Sequence, residues 1–416
     1  MFVERVRKGL GECLEDRATW APKVLESLPQ DQSIYHVEPA AVVVPRDVED
    51  VVNTLRIARE CDVPVVARGG GSGTAGAALG RGVVMHFRKH GPLSWFGDIE
   101  GVGTDACIEA GPAALHDEMQ TALGWEGLFL PADPSSSALC LIGGNVATKA
   151  SGPHALKHGS IDRYLVDAEV VLADGRVMQT GDPSTIPKEL VDGLRALHQR
   201  IGARDGIRGL LESRRTMKIA SGYNLFPFLD AFDPGRLCSQ LLAGSVGTLG
   251  LVTRVRLRAE PRPQGRVSIE FFFRSMQEAC AVVPDLRLAG AAAIEIMNRC
   301  TIEMVGQGRR EGLLPRGDCH LLLAEFSGEG CKEAAEAVVK QVSSHGSGLV
   351  SAPVVAADEE KMDRLWALRK GLLPIVRGAT GSCKALSVVN DVGVDPSRLA
   401  DFIGDVEHVF AEMGLE

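Results

Sequence analysis

The chain has 416 residues, 45% of them apolar and 24% charged, with a formal net charge of −9. That length carries two or three domains with substantial cores. The charge argues against a nucleic-acid partner, whose binding wants a basic surface, and no run nears the roughly 18 consecutive apolar residues of a membrane-spanning helix. The N-terminus, MFVERVRKGLGECLEDRATW, mixes charges of both signs and has no apolar stretch of the secretory kind. Ten cysteines lie scattered with no C-x-x-C pair, so neither a zinc nor an iron–sulfur cysteine motif is present. Free thiols suit a reducing compartment, and a cytoplasmic place is expected.

In chain order, residues 1–30 read as an amphipathic helical lead-in, with Val3, Val6, Leu10, Cys13 and Leu14 at helical spacing. A strand is expected over Ala41–Val44. A helix follows from an Asp47 N-cap, with Val51, Val52, Leu55 and Ala58 as its apolar stripe. A second strand, Pro64–Ala67, delivers the chain to Arg68-Gly69-Gly70-Gly71-Ser72-Gly73, with Gly76 shortly after. Glycines let a backbone bring several N–H groups onto one ligand, and such a nest binds anions. Arg68 adds a positive charge beside it, so the natural guest is a diphosphate.

Gly71-x-Gly73-x-x-Gly76 matches the dinucleotide fingerprint of nicotinamide enzymes in letters only. That motif needs a following helix and an acidic residue about 20 positions on. Here a strand, Val83–Phe87, begins too soon, and no Asp or Glu stands between Asp62 and Asp98.

Two later stretches add glycine loops. Pro131–Tyr164, PADPSSSALCLIGGNVATKASGPHALKHGSIDRY, carries Gly143, Gly144, Gly152 and Gly159, which allow close approach to a flat ring or a phosphate. A strand over Asp167–Ala173 follows, with an Asp174-Gly175 hairpin turn. In Leu241–Leu257 another Gly-rich loop runs into Thr253, Val255 and Leu257, alternating with Arg254 and Arg256 as in a half-buried strand.

Together these pieces resemble the flavoprotein family typified by vanillyl-alcohol oxidase, whose FAD-binding domain is also called the PCMH type. The family pattern runs P.....V, RGGGT/S..G, P.DPSS....IGGN.A.NASG....K.G and GSEGTLG..T; here the pieces stand at Pro45, Arg68–Gly76, Pro131–Gly159 and Gly244–Thr253. The resemblance implies an α+β chain: a PCMH-type FAD-binding domain of two α+β subdomains over residues 31–262, after the lead-in, then a ferredoxin-like α+β substrate cap over 263–416. It assigns FAD to Arg68, Gly69, Gly70, Gly71, Ser72, Gly73, Gly76, Pro131, Asp133, Ser135, Cys140, Gly143, Gly144, Ala147, Gly152, Ile161, Gly247 and Val252. Some branches tether FAD through a His in the first loop. Gly-Gly-Gly-Ser-Gly stands there instead, so non-covalent FAD is expected. Val246 replaces a usual Glu, which removes a carboxylate near the cofactor.

Thr216–Phe226, TMKIASGYNLF, resembles the T.GYNL stretch of the subgroup that oxidises D-2-hydroxy acids. In that subgroup hydride passes from Cα to flavin N5 and electrons leave to a partner protein or quinone. Arg369 and Lys384 stand at the spacing of an Arg and a Lys that hold substrate carboxylates there. A Thr found four residues after that Arg in some relatives is Leu373 here, which argues against 2-hydroxyglutarate specifically. No metal ligand is assigned. The family's base and its Zn or Fe site come from a later H....GDGN.H segment, which the sequence ends before. The expectation is therefore a truncated piece of a larger flavin dehydrogenase, with any metal or iron–sulfur cluster in the missing part or in a partner. The alternative is a non-catalytic flavin electron-transfer subunit of a glycolate-oxidase-like complex; a binding module that has lost FAD is a third class. A homodimer and a peripheral place at the inner membrane face stay open.

In the C-terminal part, strands are expected at 267–274, 293–297, 320–326 and 348–355, with helices at 276–290 and 331–345, the β-α-β-β-α-β order of a ferredoxin-like unit. An amphipathic helix with Leu365, Leu368 and Leu372, a strand near 387–392 and a final helix from Asp395 complete the chain.

Overall fold

The computed structural model describes residues 2–215, 222–308, 319–344, 348–370 and 392–414. Lys384, Leu372, Leu373 and the strand expected near 387–392, apart from Val392 itself, lie outside the described residues. Packing divides the chain into two units: the first takes Met1–Ser151 and Ser160–Arg262, the second Gly152–Gly159 and the described residues from Pro263 onward. The short Gly152–Gly159 segment thus packs with the second unit although the chain around it builds the first.

The first unit opens with a helix, Phe2–Leu14, whose Val6, Leu10 and Leu14 are buried. It lies against a four-stranded sheet of β1 (Ala18–Thr19), β2 (Ala41–Val43), β3 (Val65–Arg68) and β4 (Val83–His86), in the order β1-β2-β4-β3. The helix Val48–Glu60 links β2 to β3, and Asp47 caps it by accepting from the Asp50 N–H at 2.9 Å. β3 and β4 are parallel neighbours, Val65 opposite Val83. A parallel pair needs a crossover of a dozen or more residues, usually a helix. Here the crossover is the glycine loop itself, so its N–H groups are not consumed by helix bonds.

A second sheet is wholly antiparallel. It consists of β5 (Phe96–Glu100), β6 (Cys107–Ala110), β8 (Leu165–Val171), β9 (Val177–Gln179) and β10 (Leu251–Arg258), ordered β5-β6-β10-β8-β9. A small pair, β7 (Leu128–Phe129) with β11 (Glu260–Pro261), stands apart. On β10 Leu251, Thr253, Val255 and Leu257 are buried, while Arg254 reaches Asp167 and Glu109 and Arg256 reaches Glu100. The period-two alternation decides which side chains join the main core with Ile108, Met119, Leu130 and Phe228.

The second unit is built on β12 (Arg266–Phe273), β13 (Ala293–Met297), β14 (His320–Ser327) and β15 (Val354–Ala356), antiparallel in the order β13-β14-β12-β15. That is the ferredoxin-like arrangement. The helix expected over 276–290 is two: Met276–Ala281, closed by a Ser275/Glu278 capping box, and Val283–Leu288. Pro284 restarts it, because a proline has no N–H and clashes with the preceding turn. The last strand is also shorter than expected; upstream of it only Leu349 bridges to Phe273. One sheet face carries Val267, Ile269, Phe271, Phe273, Leu322, Ala324 and Phe326. The other meets Met362, Leu365 and Trp366 of the helix Glu359–Lys370, and it holds the buried polar groups Ser268, Glu270 and Glu325.

A glycine-walled cleft and a charged sheet face

A cleft of about 560 Å³ opens within the first unit. Three segments wall it: the loop after β3 (Gly69–Gly73 and on to Ala78), the stretch from Pro134 through the helix Ile142–Ala147 to Ser151, and Gly244 to Val252. Backbone bonds join the last two, the Gly244 N–H donating to Val146 O at 3.0 Å and the Val246 N–H to Ala147 O at 2.9 Å.

The glycines divide by what a side chain would meet. A Cβ on Gly70 would lie 2.0 Å from Leu139 O and one on Gly143 would lie 2.7 Å from Pro112 Cβ, so these residues let backbones close on each other. Gly73, Gly144 and Gly222 line the cleft with nothing within 4 Å of an added Cβ. A side chain there would meet open space. A cradle kept clear by missing Cβ atoms fits a large flat or phosphorylated ligand.

Among the residues expected to bind the cofactor, Gly69, Gly70, Gly71, Ser72, Gly73, Cys140, Gly143, Gly144, Ala147, Gly247 and Val252 line this cleft together. Arg68, Gly76, Pro131, Asp133, Ser135, Gly152 and Ile161 are not among its lining residues. Ile161 is core, and Gly152 packs with the second unit. Arg68 is buried, and its guanidinium donates to the carbonyls of Gln30 (2.9 Å), Leu28 (3.3 Å) and Ala78 (3.5 Å). It ties the N-terminal segment to the loop, and Gly71, at φ +64°, leaves the room its Nη2 occupies.

Sequence reasoning missed Lys149. It is the only charged side chain among the described lining residues, sits at φ +53°, and pairs with Asp162 at 3.5 Å, both side chains 9% exposed. Asp162 also accepts from Ser160 and from Asn224 Nδ2 (3.2 Å). Gln240 donates to Asp162 O at 2.7 Å and accepts from Asn224 at 2.9 Å. The signal was available: the family pattern has Asn at this position of IGGN.A.NASG. Cys140 also lines the cleft; burial pushes its thiol pKa up, so it stays protonated.

The second unit concentrates charge instead. Glu325, 2% exposed, lies 3.0 Å from His154 Nε2 and 3.0 Å from Arg266 Nη2. Burial alone would raise its pKa; hydrogen bonds from His154 and Arg266 outweigh that and hold it at about 2. The His154 ring lies 5.3 Å from that of Trp366, whose Nε1 reaches Ser268 Oγ at 3.4 Å. Glu270, raised by burial and partly offset by Lys361, sits 3.9 Å from that ammonium. Arg369 donates from Nε to Glu295 Oε2 at 2.8 Å.

Residues 39–181 match the family profile described as FAD binding domain, and residues 262–416 match that described as FAD linked oxidases, C-terminal domain. The chain is 30% identical over 387 residues to a probable mitochondrial D-lactate dehydrogenase of Danio rerio, covering 91% of this chain and 66% of that protein. It is 26% identical to D-2-hydroxyglutarate dehydrogenase of Escherichia coli, covering 92% of this chain. It is also 26% identical to a glycolate oxidase subunit of Bacillus subtilis, covering 94% of this chain and 71% of that one. The chain spans 40% of the length of the Escherichia coli protein. A solved alkyldihydroxyacetonephosphate synthase shares the fold, with a TM-score of 0.61 over 90% of this chain and 65% of that chain at 18% identity. Among the described residues no helix is long and apolar enough to cross a membrane.

Proposed function

We infer that this chain, an FAD-linked oxidase chain by both of its matched domains and related to D-lactate, glycolate and D-2-hydroxyglutarate dehydrogenases, holds FAD without a covalent bond and serves the dehydrogenation of a small D-2-hydroxy acid. The observation that carries this reading is the cleft. Its first wall is a glycine crossover that forms no helix, and Gly73, Gly144 and Gly222 line it with open space at their Cβ positions. Gly69–Gly73 would meet the diphosphate through backbone N–H groups. Ala67, Phe87, Leu141, Leu242 and Leu251 supply apolar wall. Bound FAD supplies a hydride acceptor.

The non-covalent assignment rests on the lining, which has no histidine among the described residues and keeps Cys140 as a buried thiol. Arg369 is assigned to a substrate carboxylate, its guanidinium oriented by Glu295. A fixed fork grips a carboxylate with two parallel bonds. Lys384 shares this assignment on spacing alone. Electrons leave to a protein partner or a quinone, a reading supported by the relative named as a subunit.

Anaerobic titration of the flavin-loaded protein tests this. Bleaching of flavin absorbance by D-lactate, glycolate or D-2-hydroxyglutarate is expected, with Arg369→Met raising the concentration needed. A yellow protein that none of these reduces would leave the electron-transfer subunit in place of the dehydrogenase. A colourless protein that takes up no FAD would sink both.

A further inference from the structure

The cleft is built almost wholly from uncharged groups, yet any flavin nucleotide entering it carries negative charge. That charge sits on the diphosphate and, after two-electron reduction, also on the ring. Arg68, the cation the loop sequence offers, is spent on the carbonyls of Leu28, Gln30 and Ala78. Lys149 remains as the charged side chain of the described lining.

Its setting is unusual in three ways. First, its backbone is left-handed at φ +53°, which costs a non-glycine residue roughly 1–2 kcal/mol and gathers at functional sites. Second, its carboxylate partner does not depend on it. Asp162 accepts from Ser160 and Asn224 as well, while the Lys149 contact is long at 3.5 Å, against about 2.7–2.9 Å for a tight charge-assisted bond. Asp162 therefore aims an ammonium that has three donors rather than consuming it. Third, the neighbouring wall residue is Val246, also left-handed at φ +53° and bonded to Ala147 O. A Glu is usual at that position in the family pattern, so this wall carries no carboxylate there.

We propose that Lys149 is a cofactor-contacting residue, which Asp162 aims and whose charge Val246 leaves unopposed, and that it meets the negative charge of the bound flavin nucleotide. This rests on the FAD reading above. The charge met is either the diphosphate or the reduced ring, and the two are separable by experiment.

FAD is titrated into the apoprotein by fluorescence quenching, and the midpoint potential of the bound flavin is measured, for wild type, Lys149→Gln, Lys149→Arg and Val246→Glu. If the ammonium meets the diphosphate, Lys149→Gln weakens FAD about tenfold or more at low salt with little change in potential. If it meets the ring, the potential falls while FAD affinity holds. Lys149→Arg restores most of whichever is lost. Val246 is 45% exposed, so Val246→Glu keeps the fold and shifts the same quantity in the same direction, which preserves the test should Lys149→Gln misfold. FAD affinity and potential both unchanged in Lys149→Gln, or in Val246→Glu where that variant stands in, overturn the proposal while leaving FAD binding intact. A wild-type protein that takes up no FAD overturns both.

Discussion

The cleft of the first unit and the polar face of the second-unit sheet solve the problem of buried polarity in opposite ways. The cleft uses glycine, so that polarity comes from backbone N–H groups and the wall stays neutral except for Lys149. The sheet face uses paired side chains: Glu325 with Arg266 and His154, and Glu270 with Lys361. The first arrangement leaves room and donors for a ligand. The second spends its charges on itself, and a buried pair is costly to break from one side. A residue's contribution therefore follows from how its neighbours would be left without it.

The largest expected effect tests this on the sheet face. Glu325→Ala removes the buried carboxylate that meets Arg266 and His154, and a loss of about 3–5 kcal/mol is expected in urea unfolding. A loss below about 1 kcal/mol would show that water already screens the cluster. The same carboxylate gives a pH dependence. Its folded pKa of about 2 lies below its ordinary value, so its contribution is fully present above about pH 4.5. The contribution fades as pH falls toward 2, because the unfolded state then binds the proton first. Unfolding midpoints in Glu325→Gln should lose the Glu325 part of that slope.

In the cleft, two glycine substitutions should part company. Gly70→Ala drives a Cβ into Leu139 O, and a loss of about 3 kcal/mol is expected. Gly144 lies in the helix Ile142–Ala147 with open space beside it. Gly144→Ala should therefore melt no lower than the wild type, since alanine favours helix by about 1 kcal/mol. It should nonetheless bind FAD more weakly. Full FAD affinity in Gly144→Ala would show that the cradle is not where FAD sits. At the small end, Glu360→Ala removes the exposed partner of Arg364 on the helix Glu359–Lys370. It should change stability by less than about 0.5 kcal/mol, the contrast that makes the Glu325 result meaningful.

Much of the framework is legible in the residues alone. The Asp47 cap, the 2-residue period of Leu251–Leu257 and the four strands of the second unit are local signals, set by turn chemistry and side-chain alternation. The glycine loops were legible for the same reason, since a glycine advertises a backbone that needs room. Other features depended on partners distant in sequence. Whether Arg68 faces a ligand or a carbonyl is decided by Leu28 and Gln30, about 40 residues earlier. Gly152–Gly159 leaves the first unit for the second because Lys157 donates to Ser327 O at 2.7 Å and His154 meets Glu325, contacts some 170 residues away. Lys149 became a wall residue only when the chain brought Asp162, Asn224 and Gly244 around it. The sequence by itself determined where the glycine loops lie, because periodicity and glycine content act over a few residues. The tertiary structure alone decided which charges face that cleft, because a side chain's partner is set by packing, and packing joins residues that no local pattern connects.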